Sequence, residues 1–361
     1  MTARKRLAVL FGGQSPEHEI SVISARAIMR EADLDRFEIV PLGITRGGEW
    51  LTEQETRERL ERGEADGTNW LGEEPGRGPL ERAGAAADLA SVDVVFPIVH
   101  GRNGEDGTLQ GLLELSGIPY VGAGVAGSAV GMDKSLMRAQ FAAHGVPQPG
   151  YVALRDTELA ELCGAAAPRE ALADVERAVG YPCFVKPANG GSSIGVSRAQ
   201  SREDLGDALR EAARYDRKVL VEEGIAGREI ECAVIGNAEP QASPLGEIRP
   251  HGEFYDFEAK YRDAGADLLV PAPLDEPLAE RIQQIALDAY RALDLAGLSR
   301  VDFLVREPDD IHVLEVNTLP GFTPISMYPR LWQEAGLTYG ELITRLVELG
   351  LERYEEARAY A

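Results

Sequence analysis

The stretch "VLEVNTLPGFTP", residues 313–324, places an acid and an amide in a run that otherwise has the character of a β-strand. Glu and Asn are poor strand formers. Side chains alternate between the two faces of a strand, so Glu315 and Asn317 point to one side and Leu314 and Val316 to the other. The pattern predicts a strand with one apolar face and one polar face, ended by a Pro-Gly turn.

The preceding stretch, "SRVDFLVREPDD" at 299–310, has the same two-faced pattern. Its Glu-Pro-Asp-Asp end predicts a turn, so the two stretches form a hairpin. In a symmetric register, Asp302 lies opposite Glu315 and Arg300 lies opposite Asn317. Like charges directly opposite in a sheet are destabilising. The pair therefore has two interpretations, a solvated sheet face or a divalent-metal site, because Mg²⁺ prefers oxygen ligands.

Composition limits the classes of protein that this chain can belong to. Its 361 residues, 44% hydrophobic and 27% charged, predict two or three packed domains. A net charge of −23 argues against broad surfaces for nucleic acid or anionic membranes, although a few lysines can still make a pocket for ATP. Three cysteines without zinc spacing fit a reducing cytosol. The basic start leads into a buried first strand rather than a signal peptide, and no apolar run reaches membrane-spanning length.

The first third of the chain alternates short β-branched runs, "RLAVLF", "FEIVPLGI" and "VDVVFPIV", with helical patterns at 18–31 and 108–116. Such alternation predicts a parallel α/β sheet. Residues 46–89 have little apolar periodicity, which indicates a surface elaboration that is helical at 52–62 and otherwise loop. The small residues of 120–131 predict a hinge at the first domain boundary.

The rest of the chain predicts a mixture of strands and helices. A helix begins near residue 133, and 181–199 predicts a strand, a Gly/Ser turn and a returning strand. Three short strands follow within 218–250, and a long polar loop comes after them. Loops of that length are more often functional than not. A helix at 277–295 precedes the hairpin, and two amphipathic helices end the sequence.

Two segments have the character of a nucleotide site. "KPANGGSSIGV" at 186–196 offers Lys186 at a strand end and glycines whose backbone N–H groups can approach phosphate oxygens. It fits neither the Rossmann nor the P-loop pattern, and a tight hairpin without a ligand is the alternative. "VLVEEGIAGREIEC" at 219–232 presents Glu222 and Glu229, for which the alternative is a pair of solvated acids.

Two segments of the N-terminal region place polar side chains at strand ends. "LFGGQSPEHEIS" at 10–21 is a strand, a Gly-Gly turn and a helix start, and "FPIVHGRNGEDGTLQG" at 96–111 repeats that pattern. Helix N-termini and the carboxyl ends of parallel strands are where α/β domains hold ligands. The alternative is that Glu17 and His18 only cap their helix and that His100 only caps its strand.

Taken in order, these segments resemble the motif series of the D-alanine–D-alanine ligases, a family of the ATP-grasp superfamily. The motifs are "FGGQSPEHEIS", "HGRNGEDGTLQG", "VKPANGGSSIGVS", "FYDFEAKY", "SRVDF" and "LEVNTLPGFTPIS". The resemblance runs from about residue 5 to about residue 350, and the 46–89 insertion resembles the longer branch of the family. It implies three domains, an N-terminal parallel α/β domain (1–125) that precedes a two-lobed ATP-grasp fold with a central α+β lobe (126–218) and a C-terminal α+β lobe (219–361).

The resemblance also implies an ATP site between the two lobes and a metal site on the hairpin. The matching ATP-binding positions are Lys134, Lys186, Ser193 and Lys260 for phosphates, Glu222, Ile225 and Phe254 for adenine, and Glu229 for ribose. Asp302, Glu315 and Asn317 match the ligands of two Mg²⁺ ions, for which Mn²⁺ can substitute. Glu315 matches the bridging ligand, which would explain why two acids face each other across the hairpin.

The implied reaction joins two D-alanine molecules for peptidoglycan precursors. The first carboxylate attacks the γ-phosphate to give an acyl phosphate, and the second amine then displaces phosphate. The residues that match substrate-binding or catalytic positions are Glu17 and His100 for the first ammonium group, Arg300 and the Gly321 N–H for the developing oxyanion, and Ser326 for the second carboxylate. Ser192 and Tyr261 match a link with Glu17 that fastens a lid loop at 251–271.

Two other classes of function remain as alternatives. A ligase of the same fold can add D-lactate or D-serine, and the Tyr261 of "EAKY" favours the D-alanine-adding members. A non-catalytic ATP-binding protein is disfavoured because Asp302, Glu315 and Asn317 are all present. The resemblance further implies a cytoplasmic homodimer whose partners are ATP and D-alanine rather than nucleic acid or membrane.

Overall fold

A computed structural model describes most of the chain. The described residues are 4–65, 71–72, 78, 82–163, 172–191, 193–251, 266–306 and 308–360. Four predicted site residues, Ser192, Phe254, Lys260 and Tyr261, and most of the predicted lid loop therefore lie outside the described residues.

The N-terminal region contains the predicted parallel sheet. Its strands are β1 (Lys5–Gly12), β2 (Phe37–Ile44) and β3 (Val94–Ile98), in the order β2-β1-β3. Both pairings are parallel, so the carboxyl ends of the strands meet at one edge. The helices here are α1 (His18–Glu31), α2 (Glu53–Ala65), α3 (Ala83–Ala90) and α4 (Thr108–Leu115). The predicted helices at 18–31, 52–62 and 108–116 are confirmed, whereas the prediction of loop up to residue 89 is wrong at α3.

The small-residue segment at 120–131 forms much of α5 (Val125–Met132), which is followed by α6 (Lys134–His144). Its glycines allow close packing. A Cβ built on Gly127 would lie 2.7 Å from the carbonyl oxygen of Asp294, and one on Gly131 would lie 2.4 Å from Cγ2 of Thr318. The small residues that predicted a hinge are thus required where α5 contacts the C-terminal part of the chain.

The central region is built on a four-stranded antiparallel sheet in the order β4-β7-β5-β6. Its strands are β4 (Tyr151–Arg155), β5 (Cys183–Pro187), β6 (Ser197–Ala199) and β7 (Lys218–Glu223). Its helices are α7 (Asp156–Cys163), α8 (Ala173–Val179) and α9 (Arg202–Ala212). The strand, turn and returning strand predicted within 181–199 are confirmed. Because β7 belongs to this sheet, the central lobe extends past the predicted boundary at residue 218.

The C-terminal region is built on a five-stranded antiparallel sheet in the order β10-β9-β8-β11-β12. Its strands are β8 (Arg228–Gly236), β9 (Gln241–Pro250), β10 (Ala266–Leu269), β11 (Gly297–Arg306) and β12 (Asp310–Asn317). Its helices are α10 (Glu276–Ala292), α11 (Met327–Glu334) and α12 (Tyr339–Arg358). The predicted hairpin of β11 and β12, the helix before it and the two helices after it are all confirmed.

The hairpin has the predicted register with one irregularity. Asp302 lies opposite Glu315 and Arg300 opposite Asn317, but Phe303 pairs with Val313, so one residue of β12, Leu314, has no counterpart on β11. This β-bulge breaks the strict alternation of faces. As a result Val313 is fully buried in the core, and Leu314, which was expected on the core face, borders a cavity instead.

One hydrophobic core joins the two ends of the chain. Side chains of β1, β3 and α1 pack with those of β8, α11 and α12, whereas the central sheet has a separate core of its own. Among the helices of the described residues, none is both long enough and apolar enough to cross a lipid bilayer.

Candidate active site

A cavity of about 660 Å³ opens where the three sheets meet. It lies at the carboxyl edge of the parallel sheet, beside the Gly/Ser turn after β5 and over the polar face of the β11–β12 hairpin. The structure brings most of the predicted site residues together here. The predicted residues that line the cavity are Glu17, His100, Lys134, Lys186, Ser193, Glu229, Arg300, Asp302, Glu315, Asn317, Gly321 and Ser326.

The hairpin contributes a compact group of charges to the cavity wall. The Arg300 guanidinium donates from Nε and from one terminal nitrogen to the two oxygens of Asp302, both at 2.7 Å. The amide nitrogen of Asn317 donates to the same carboxylate at 2.9 Å. Nζ of Lys134, the first residue of α6, lies 3.3 Å from Oε2 of Glu315 on β12. Both carboxylates are thus within ion-pair distance of a cation, which offsets their mutual repulsion.

The chemistry of this group fits a divalent cation that is bound partly by the protein and partly by a phosphorylated substrate. Asp302, Glu315 and Asn317 are hard oxygen donors on one face of one hairpin, as Mg²⁺ requires. In the described part of the chain, no cluster of three or more His, Cys, Asp or Glu side chains could hold a metal by itself. Mg²⁺ is commonly held by one or two carboxylates together with water and substrate phosphates, so two carboxylates and an amide suffice.

The side of the cavity for which phosphate binding was predicted comes from the central lobe. The Gly/Ser turn passes beside the ammonium group of Lys134, which donates to the carbonyl oxygen of Gly190 at 2.8 Å. Ser193 and Gly195 both have left-handed backbone conformations, with φ values of 58° and 72°. Tight turns of this kind are places where backbone N–H groups can approach an anion closely.

Lys186 and Glu222 form an ion pair at the end of the cavity nearest the central sheet. Nζ of Lys186 lies 2.6 Å from Oε2 of Glu222, and Arg138 holds the other carboxylate oxygen at 2.7 Å. Burial favours the neutral acid, but the two cations outweigh it and lower the pKa of Glu222 to about 2. Glu222 is therefore an ionised carboxylate inside the protein rather than a solvated acid. Ile225, the other predicted adenine-reading residue, is buried nearby in the connection from β7 to β8.

The N-terminal domain contributes a second group of acids. Glu17 immediately precedes α1, but among the described residues its carboxylate makes no capping hydrogen bond to that helix. His100, which follows β3, is buried, and burial lowers its pKa although the charge of Glu17 opposes the change. Glu105 borders the same space. Burial and the nearby Glu17 raise the pKa of Glu105 to about 8, so that its carboxyl group can hold a proton at neutral pH.

Sequence reasoning missed three residues of this site. Glu105 lies inside a quoted motif but has no spacing that distinguishes it. Glu231 lines the cavity next to Arg300, with 3.1 Å between its Oε2 and Nε of the guanidinium, and it follows Glu229 on β8 by two residues. Arg138 follows Lys134 on α6 by four residues, one helical turn. Period-2 and period-4 spacing from a predicted site residue is the signal that could have found the last two.

The cleft lies between two lobes, each built on an antiparallel sheet, with lysines on one lobe and a hairpin that carries carboxylates on the other. This is the arrangement of an ATP-grasp enzyme. Two family models match almost the whole chain, "D-ala D-ala ligase N-terminus" over residues 6–123 and "D-ala D-ala ligase C-terminus" over residues 140–348. The chain belongs to the D-alanine–D-alanine ligase family, whose members are carboxylate–amine ligases.

Individual relatives agree with this membership. The D-alanine–D-alanine ligase of Geobacillus thermodenitrificans is 47% identical over 98% of this chain and 97% of its own length. The solved structure of the D-alanine–D-alanine ligase from Coxiella burnetii, 35% identical, covers 99% of this chain and 97% of its own, with a TM-score of 0.79. That of the VanG D-Ala:D-Ser ligase from Enterococcus faecalis, 32% identical, covers 96% of this chain and 100% of its own, also with a TM-score of 0.79.

Proposed function

We propose that this protein is an ATP-dependent ligase that joins two D-alanine molecules into D-alanyl-D-alanine, a building block for peptidoglycan. The observation that carries the proposal is one cavity that is lined by Glu17 at the start of α1, Lys134 at the start of α6, Lys186 on β5 and the Arg300–Asp302–Glu315 group of the hairpin. Membership of the D-alanine–D-alanine ligase family supports the same reaction.

The charges of the cavity suit the two ends of an amino acid and the polyphosphate of ATP. Glu17, with His100 beside it, is proposed to hold the ammonium group of the first D-alanine. The carboxylate of this first D-alanine would then lie toward Arg300, and the carboxylate of the second D-alanine would lie toward Ser326. Oγ of Ser326 accepts a hydrogen bond from the Thr323 N–H at 3.1 Å, which fixes the position of the hydroxyl.

ATP is proposed to lie between the lobes. Lys134, Lys186 and Ser193 face the phosphates, Glu222 and Ile225 the adenine, and Glu229 the ribose. Asp302, Glu315 and Asn317 are the proposed ligands of Mg²⁺, which when bound would neutralise charge on the transferring phosphoryl group. Arg300 and the Gly321 N–H, both of residues that line the cavity, are proposed to stabilise the oxyanion formed when the amine attacks the acyl phosphate. Phe254, Lys260, Ser192 and Tyr261 keep their proposed roles in ATP binding and lid closure on the resemblance alone.

The direct test is phosphate release in the presence of ATP and Mg²⁺, with D-alanine supplied or omitted and the products identified by mass. We expect phosphate and D-alanyl-D-alanine to form together, and L-alanine to support neither. A protein that hydrolyses ATP without forming a dipeptide, or that does neither, would overturn the proposal.

A second candidate is a ligase that adds D-serine, favoured by the structural similarity to the VanG D-Ala:D-Ser ligase. The same assay with D-alanine and D-serine in competition separates the two, because the mixed and the homogeneous dipeptide differ in mass by one oxygen atom. D-lactate is the third arm, since it would give an ester rather than an amide. We expect D-alanine to be the preferred second substrate.

We also propose that the enzyme works in the cytoplasm as a homodimer. The three cysteines are free, which suits a reducing compartment. Light scattering of the purified protein at micromolar concentration tests the dimer, and a molecular mass near 39 kDa, that of one chain, would contradict it.

A further inference from the structure

The Arg138 guanidinium is completely buried at the place where the central lobe meets the end of the five-stranded sheet. It projects from α6 and makes hydrogen bonds to two separate elements. Nε donates to Oε1 of Glu222 on β7 at 2.9 Å, and the two terminal nitrogens donate to the carbonyl oxygens of Val313 and Leu314 on β12, each at 2.7 Å. One side chain therefore ties the acid at the end of the cavity to the strand that carries Glu315.

The contact with β12 depends on the bulge. Successive carbonyl groups of a regular strand point in opposite directions, so one guanidinium could not reach two of them in a row. Leu314 is the extra residue of the bulge, and it immediately precedes Glu315. Among the described strands β12 is the last of its sheet, so Arg138 occupies hydrogen-bonding positions that none of those strands takes. The position of Glu315 is thus set in part from the central lobe.

The contact with Glu222 affects Lys186. Both cations hold the same buried carboxylate, Arg138 through Oε1 and Lys186 through Oε2. A carboxylate inside a protein needs a counter-ion, and Arg is fully charged and bidentate. With Arg138 in place, Lys186 can leave Glu222 for a phosphate oxygen without leaving that carboxylate uncompensated. Of the two cations that the structure places beside Glu222, only Lys186 would remain without Arg138.

We propose that Arg138 is a positioning residue for ATP, a permanent counter-ion of Glu222 that leaves Lys186 available to the phosphates. The inference rests on the proposed ATP-dependent function, within which it assigns a role to a residue that does not itself border the cavity.

The test compares wild type, Arg138→Lys and Arg138→Met. Calorimetry measures how tightly each binds a non-hydrolysable ATP analogue in the presence of Mg²⁺. Phosphate release gives the KM values for ATP and D-alanine. We expect Arg138→Met to weaken analogue binding and raise the ATP KM on the order of ten- to a hundredfold, the cost of losing a charge-assisted interaction. The D-alanine KM should change less than about twofold. Arg138→Lys, which keeps the charge, should lie between wild type and Arg138→Met.

The double variant Arg138→Met/Glu222→Gln separates this role from simple support of the fold. It has no buried charge to compensate, so we expect it to bind the analogue as tightly as Glu222→Gln alone, and it remains usable if Arg138→Met does not fold. Arg202→Met, which breaks an ion pair with Glu176 on the outside of the same lobe, is the control. Unchanged analogue binding in the Arg138 variants, an equal rise of both KM values, or an Arg138→Met effect that persists with Glu222→Gln would overturn the inference.

Analogue binding does not depend on the second substrate. If wild type binds the analogue but forms no dipeptide, the proposed function fails while the Arg138 comparison still gives its answer.

Discussion

Each of the two carboxylates on the hairpin has a cation beside it. Arg300 holds Asp302 through two hydrogen bonds, and Lys134 lies near Glu315. All four side chains border the cavity and are at most partly exposed. At the residue scale, the site is therefore a compact set of opposite charges, which we expect a bound polyphosphate with divalent cations to rearrange.

Replacement of Glu315 by Gln tests this balance. We expect Glu315→Gln to lower kcat on the order of a hundredfold or more, since even residues that only support a metal ligand cost 10–100-fold. Stability should change by less than about 1 kcal/mol, because the lost ion pair with Lys134 is partly exposed and repulsion from Asp302 is relieved. Phosphate release and thermal melting measure the two effects, with Glu352→Gln on α12 as the control. Normal turnover would remove Glu315 from the metal site.

Glu105 should give the protein a distinctive pH dependence. Its pKa is raised from an ordinary value of 4.5 to about 8, so between these values the folded state holds a proton that the unfolded state has released. Stability of the ligand-free protein should therefore fall as pH rises from about 4.5 to about 8, and then level off. Glu105→Gln lacks this loss, so its melting temperature should rise relative to wild type between pH 5 and pH 9. Parallel melting curves across that range would contradict the assignment, and Glu352→Gln should parallel wild type.

Strand periodicity was enough to pair Asp302 with Glu315 and Arg300 with Asn317, because parity and a turn length determine the register of a hairpin. It failed at Leu314, because a bulge adds one residue without any composition that marks it. Arg138 was missed for a different reason. Its position one turn after Lys134 indicates the face of α6 on which it lies, but its partners, Glu222 and the carbonyls of β12, are more than eighty residues away along the chain, so the spacing does not identify them.

At the scale of elements, α12 shows how strongly local sequence can define a boundary. Thr338 accepts a hydrogen bond from the backbone of Glu341, and the Glu341 carboxylate accepts one from the Thr338 N–H, a reciprocal capping box. Helix α5 shows the opposite case. Its glycines weaken helix propensity and predicted a hinge, but close packing against Asp294 and Thr318 outweighs that preference.

Removal of the cap should destabilise the protein without affecting its chemistry. Thr338→Ala loses the hydroxyl that caps α12, and we expect a loss of about 1 kcal/mol in the free energy of unfolding. Thr338→Ser keeps the hydroxyl and is the matched control. Chemical denaturation measures both variants, and kcat at 25 °C should match wild type because the cap lies outside the cavity. Equal stability of Thr338→Ala and wild type would show that packing alone determines where α12 begins.

At the scale of the whole molecule, one of the hydrophobic cores of the described residues unites the N-terminal domain with the C-terminal sheet, and another belongs to the central lobe alone. Leu346 of α12 packs in the first with side chains such as Phe11 and Ile28, whereas Leu209 of α9 packs in the second. Both leucines are fully buried. The central lobe, with its own core, is therefore the part that can change its stability most independently.

Matched cavity-forming variants test this division. Leu209→Ala and Leu346→Ala should each cost about 2–5 kcal/mol within their own core. By hydrogen exchange, Leu209→Ala should weaken protection in the central sheet while β1 and β3 stay protected. Leu346→Ala should weaken β1, β3 and β8 together. Exchange that accelerates evenly over all three sheets in both variants would show that the chain unfolds as a single unit.

The first core has a consequence for how the protein is made. Helix α12 includes residues 339–358, yet its buried side chains complete the core around β1 and α1, which are synthesised more than 300 residues before it. The hydroxyl of Tyr354 also donates to the carbonyl of Gly117, and Arg36 pairs with Glu348. The N-terminal sheet keeps an apolar face uncovered until α12 has been synthesised, so a nascent chain of this protein should depend on chaperones for longer than the order of its domains suggests.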